Sequence, residues 1–173
     1  MNNARGWMKV VRAVFLICLP LLGLAIIAGV TLYWGFGVAM LGDNFIVLAD
    51  RQPLPERRFW GLSAVLVPTG LMLAALWRLF EMFRETDVQR IRLSAIHHLR
   101  AFAGLSIGTV ASAFLLSGVM RWAMGVFDDA PLWTHLGFSV SHAATVFGAA
   151  VVYFATYLIE EGYAYKLETE EYV

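Results

Sequence analysis

The sequence predicts an all-α integral membrane protein: a four-transmembrane-helix bundle whose third helix extends into the cytosol. Three observations predict it. Sixty per cent of the 173 residues are hydrophobic, and the mean hydropathy is +0.67. Only 15% are charged, against about 25% in an ordinary soluble domain. The apolar residues also gather into four runs, each near the ~20 residues a helix needs to cross a bilayer. Four such runs in so short a chain leave too little polar sequence to cover a soluble core. The chain reads as one membrane domain with spans at about 13–34, 60–83, 101–120 and 136–159, and a cytosolic tail over 160–173.

The first span is "AVFLICLPLLGLAIIAGVTLYW". Lys9 and Arg12 precede it, so its start resembles a signal peptide, and Gly23-Leu24-Ala25 offers a small-x-small site. The apolar run continues to Trp34, longer than a signal core, which predicts an uncleaved span. The second span opens "WGLSAVLVPTGLMLAALW". Pro20 and Pro68, inside the first two spans, are expected to kink them. Trp34, Trp60, Trp77, Trp122 and Trp133 fall at span ends and Trp7 precedes the first, which reads as an aromatic belt at the headgroup level.

The segment "RETDVQRIRLSAIHHLR" leads into the third span. Thr86 as N-cap and Gln89 three residues on fit a capping box, and Asp87 suits the positive end of a helix dipole. Val88, Ile91, Ala95, Leu99 and Phe102 recur at helical spacing. A helix starting near Asp87 and ending near Met120 would be roughly 50 Å long, against a hydrocarbon core of about 30 Å, so its first turns should stand clear of lipid. Small residues mark helix contacts in lipid. Gly104, Gly108 and Ser112 in the third span, and Ala144, Gly148 and Ala149 in the fourth, are the expected close-packing faces.

Basic residues set orientation. With the N-terminus inside, nine lie on the inner side (Arg5, Lys9, Arg12, Arg78, Arg84, Arg90, Arg92, Arg100, Lys166) and four on the outer (Arg51, Arg57, Arg58, Arg121). Both termini are then cytosolic. Lys+Arg and Asp+Glu are 13 each. No net charge draws the chain to nucleic acid, and Glu85 and Asp87 dilute the arginine segment. Outside, residues 35–59 form a long loop, with Phe45–Leu48 a short strand or interfacial segment and Pro53 and Pro55 in an extended turn. A shorter outer loop carries Asp128 and Asp129, too few oxygens for calcium.

Chemistry-bearing residues are sparse. Cys18 is the only cysteine, so no intrachain disulfide forms and a cysteine metal site is not expected. His97 and His98 are adjacent and diverge by about 100° on a helix, while His135 and His142 stand about 10 Å apart along an axis, so neither pair shares one ion. No haem pair, HExxH or Ser/His/Asp set is present in the sequence, and no cofactor, metal or catalysis is expected. Ser139, His142 and Thr145 are intramembrane polar residues. His142 reads as a hydrogen-bonded packing residue, with proton or ligand sensing as the alternative. The candidate partner-binding residues are Arg84, Asp87, Arg90 and Arg92 on the cytosolic hairpin, with Glu160, Glu161 and Glu168 in the acidic tail. That tail should stand off anionic lipid or dock on the hairpin arginines.

Phe83, followed by Val88, Arg90, Ile91 and Arg92, and an ending with Glu161, Leu167 and Glu170, resemble a bacterial membrane family known as domain-of-unknown-function 2975. The second motif is shifted in spacing and lacks the family's Asn-Asp ending. The resemblance implies a multi-pass inner-membrane protein without catalysis, a companion of small DNA-binding regulators. The expected function is therefore a membrane regulator that holds a cytosolic partner, possible homo-oligomers included. The alternative is a small oligomeric transporter or channel subunit. Against that stand apolar runs, such as 13–34 and 60–77, that carry no acidic residue and no paired helix breaks.

Overall fold

The computed structural model describes residues 2–36, 53–85, 93–126 and 139–170, and over these the chain is helical almost throughout. The long helices are α1 (Asn2–Thr31), α2 (Arg58–Glu85), α3 (Leu93–Ala123) and α4 (Val140–Glu170). A short π-helical turn, Leu32–Phe36, continues α1, and a 3-10 turn, Pro55–Arg57, leads into α2. All four long helices are long and apolar enough to cross a membrane. Hydroxyls within them bond to their own helix backbone: Ser106 to the Phe102 carbonyl and Thr109 to that of Leu105, each at 2.9 Å. Such back-bonding lets polar side chains sit in apolar surroundings without an outside partner.

Each helix packs chiefly on its chain neighbours. Contact is most extensive between α2 and α3, then between α3 and α4, then between α1 and α2. No comparable contact joins α1 to α4 among the described residues, so the bundle is an open row rather than a closed ring. Successive helices run antiparallel. The start of α1, the end of α2, the start of α3 and the end of α4 share one end of the row, called here the terminal end; the other is the distal end. Small side chains allow the close approach. Ala64 and Ala75 on α2 and Ala95 and Ala103 on α3 are buried, as are Ala149 and Thr156 on α4.

The distal end holds the hydrophobic core. Trp34, Ala123 and Met124 are buried together, with Val30, Tyr33, Leu62 and Val65 packed against them. The Leu54 N–H donates to the Ala123 carbonyl at 3.0 Å, and the Tyr33 hydroxyl donates to Met124 Sδ at 3.5 Å. Arg57 lies over the Trp122 ring, 4.6 Å from its centroid, and donates to the Trp122 carbonyl at 3.2 Å. Arg58 donates to the Pro53 carbonyl at 3.3 Å. Gly125, with φ +66°, makes the turn out of α3 against Leu54, a backbone angle that favours glycine.

Several expectations change. Trp34 does not face outward as a belt residue would: it is only 6% accessible, because Gly61 on α2 leaves room for its ring. Trp7, Trp60 and Trp77 are exposed, as a belt requires. The expected small-residue faces hold in part: Ala149 is buried and Gly108 faces Leu71, whereas Gly104 and Gly148 face open space and Ala103, about 100° round α3 from Gly104, is buried in its place. Pro20 and Pro68 sit inside continuous helices.

The expected helix start near Asp87, with Arg90 and Arg92, falls on residues 86–92, outside the described residues. So do Phe45–Leu48, Asp128, Asp129, Trp133 and His135. The fourth helix is longer than its expected span. It continues through most of the expected tail to Glu170, adding residues 160–170, roughly 16 Å, beyond Ile159.

Candidate functional site

The terminal end is where charge collects. Glu81 and Glu85 are four residues apart, hence on one face of α2. The His98 ring of α3 lies between them: Nδ1 is 3.3 Å from Glu81 and Nε2 is 3.5 Å from Glu85. Arg78 reaches Glu81 at 3.1 Å from the preceding turn. This cluster ties the end of α2 to the start of α3. The ring separates the two carboxylates, so they do not converge on one ion. Among the described residues no group of three or more His, Cys, Asp or Glu is placed to hold a metal.

The outer helices are fastened by arginines. Arg12 of α1 donates to the Arg84 carbonyl at 2.7 Å, satisfying one of the carbonyls left open where α2 ends. One turn further along α1, Phe15 stacks on Phe83 with ring centroids 4.6 Å apart. On the other side Arg100 of α3 makes a charge-assisted hydrogen bond to Glu160 of α4 and lies 5.5 Å from the Tyr153 ring centroid. The ends of all four helices are thereby joined by polar contacts.

Glu85 is the last residue of α2, past the apolar stretch. A hydrogen bond from Ser94 holds its carboxyl below the ordinary value of 4.5; His98 and Arg84 add to the effect and desolvation opposes it. A carboxylate so held contributes stability above that value and loses it as the pH falls. Ser94→Ala is therefore expected to lower the thermal midpoint at neutral pH and to match the unmodified chain well below pH 4.5. Parallel melting curves over that range check this; an equal deficit at every pH would refute it.

The polar residues expected inside the fourth span take a local role. The Ser139 hydroxyl accepts from the His142 N–H at 3.3 Å, and the Ser139 N–H donates to His142 Nδ1 at 3.2 Å. That reciprocal pair is a capping box with histidine in the place of Glu or Gln. It starts α4 at Val140. Thr145 donates to the Ser141 carbonyl at 2.9 Å. Of the expected partner-binding residues, Arg84 and Glu161 are exposed, and Glu160 is engaged with Arg100. Glu168 lies on the helical extension of α4. Asp87, Arg90 and Arg92 lie outside the described residues.

The Arg100–Glu160 pair fits the expected docking of the acidic tail on the arginine segment, whereas sequence reading overlooked the His98 cluster. The spacing of Glu81 and Glu85 was the available signal for that cluster.

The fold and its charged end define a class: an all-helical chain with four helices fit to cross a membrane, joined at one end by polar contacts and packed at the other around a tryptophan. No family model, curated protein or solved structure matches the chain.

Proposed function

We propose that this chain is a non-enzymatic, multi-pass regulatory protein of the bacterial inner (cytoplasmic) membrane. Both termini are cytosolic, and the terminal end binds a cytosolic protein. The observation that carries the reading is the two-signed surface at that end. Arg84 and Glu161 are exposed there beside the fixed Glu81–His98–Glu85 and Arg100–Glu160 contacts, and α4 continues past them to Glu170. Charged residues arranged on a rigid helix suit recognition of a complementary partner, where they set specificity and encounter rate. The excess of basic residues on the same side supports the orientation. The resemblance to domain-of-unknown-function 2975 supports a small DNA-binding regulator as the partner. It also supports an arginine helix, from near Asp87, as part of the docking surface.

Affinity purification from mild detergent tests this. The intact chain is expected to recover a cytosolic protein. Deleting residues 160–173, or combining Arg84→Glu with Arg90→Glu and Arg92→Glu, should reduce that recovery roughly tenfold or more, the scale of losing paired interfacial charges. Identical recovery by the intact chain and both variants would overturn the proposal.

A further inference from the structure

A groove of about 390 Å³ runs between α3 and α4 towards the terminal end, lined by Gly104, Ile107, Ala150, Tyr153, Phe154 and Tyr157. It is open to the side, and its walls are almost wholly apolar. From Ala150 to Tyr157 it spans roughly 10 Å of helix. It rests on the membrane reading. Water gains few hydrogen bonds in such a groove, and in a bilayer the apolar material beside it is acyl chain.

The mouth of the groove adds the second element. Ala150, Phe154, Tyr157 and Glu161 lie at helical spacing on one stripe of α4, so the apolar stripe ends on a carboxylate. One turn before Gly104, α3 carries Arg100, held against Glu160 and over the Tyr153 ring. The Arg100 side chain is still 26% exposed, and its guanidinium carries more N–H donors than the bond to Glu160 uses. Cation and carboxylates thus sit together where the apolar walls stop.

We infer that the groove binds a zwitterionic aminophospholipid. One acyl chain lies between α3 and α4, the phosphate meets Arg100, and the primary ammonium meets Glu161, which ends the apolar stripe. At this mouth Arg100 is paired with Glu160 and Glu161 is exposed one residue on, and acidic segments repel anionic headgroups. A headgroup carrying both charges fits where a purely anionic one does not.

The full chain, reconstituted in vesicles with a trace of phosphatidylethanolamine bearing a diazirine in one acyl chain, tests the inference. Photolysis and peptide mapping are expected to place adducts chiefly on Ile107, Ala150 and Phe154. Unlabelled phosphatidylethanolamine should compete roughly threefold better than phosphatidylglycerol, the size an exposed ion pair supplies. Arg100→Gln with Glu161→Gln should abolish that preference. Gly104→Phe should remove the groove adducts; an added Cβ there meets nothing within 4 Å, so the fold has room for it. Adducts spread evenly over exposed α1 residues such as Leu21 and Leu24, unchanged labelling of Gly104→Phe, or equal competition by the two lipids would each overturn it. A chain that carbonate strips from the vesicles would instead overturn the membrane reading beneath it.

Discussion

Gly61→Ala is expected to destabilise the fold by about 1–3 kcal/mol, the usual cost of overpacking a filled site. A Cβ at residue 61 would lie 1.9 Å from Trp34 Cζ3, 2.4 Å from Cη2 and 2.8 Å from the Ala123 Cβ. None of these neighbours yields easily. The Trp34 ring is enclosed by Val30, Tyr33, Leu62 and Val65, and Ala123 belongs to the packed end of α3. Trp34→Ala is expected to cost about 3–5 kcal/mol, the range for emptying an aromatic site in a core. The two losses should not add. With the ring gone, the two closest clashes disappear and the 2.8 Å approach to the Ala123 Cβ remains, so Gly61→Ala should cost less in the Trp34→Ala background. Stability of the four chains by denaturant titration in detergent closes the cycle. Strict additivity would show that Trp34 and Gly61 do not touch.

Arg100→Glu is expected to loosen α4 by about 1–2 kcal/mol. The variant loses an ion pair worth up to about 1 kcal/mol at a partly exposed site. It also loses a cation–π contact worth about 0.5–1 kcal/mol. In their place it sets two carboxylates together. The loss falls on α4 because that helix rests on α3, with Ala149 and Thr156 as its buried contacts. The swap of Arg100→Glu with Glu160→Arg should restore the ion pair and leave the cation–π contact missing, so recovery is partial. Thermal melts of the two single variants and the swap read this directly. A swap no more stable than Arg100→Glu would mean that the pair contributes nothing to docking.

The helices were legible because their signal is compositional: long apolar runs such as 13–34 announce themselves without tertiary information. Which face of each helix packs was less legible. A glycine row and an alanine row lie one residue apart on α3 and α4, and both satisfy a small-residue pattern. The choice between Gly104 and Ala103 is made by the rotation of the whole helix, which no local spacing encodes. Trp34 was misread for a related reason. A tryptophan at a span end looks like a belt residue unless the glycine opposite it, 27 positions later, is known to face it. The boundary of α4 was set by Ser139 and His142, a cap whose histidine takes an acidic or amide residue's place, so the usual signature was absent. The charged end was half legible. The acidic tail and the arginines were visible in sequence, but their pairing depends on the antiparallel register of α3 with α4.

The open row carries a consequence for biosynthesis. Among the described residues every extensive contact between long helices joins neighbours in the chain, so docking follows the order of translation. Each helix after the first docks on the one before it, while α2 gains its most extensive contact, and Trp34 its cover from Ala123 and Met124, only when α3 follows. The hydrogen bond from Tyr33 to Met124, linking residues 91 positions apart, closes only after α3 has emerged. Assembly is then a zipper that starts at the N-terminus, with that distal contact as its late fastening.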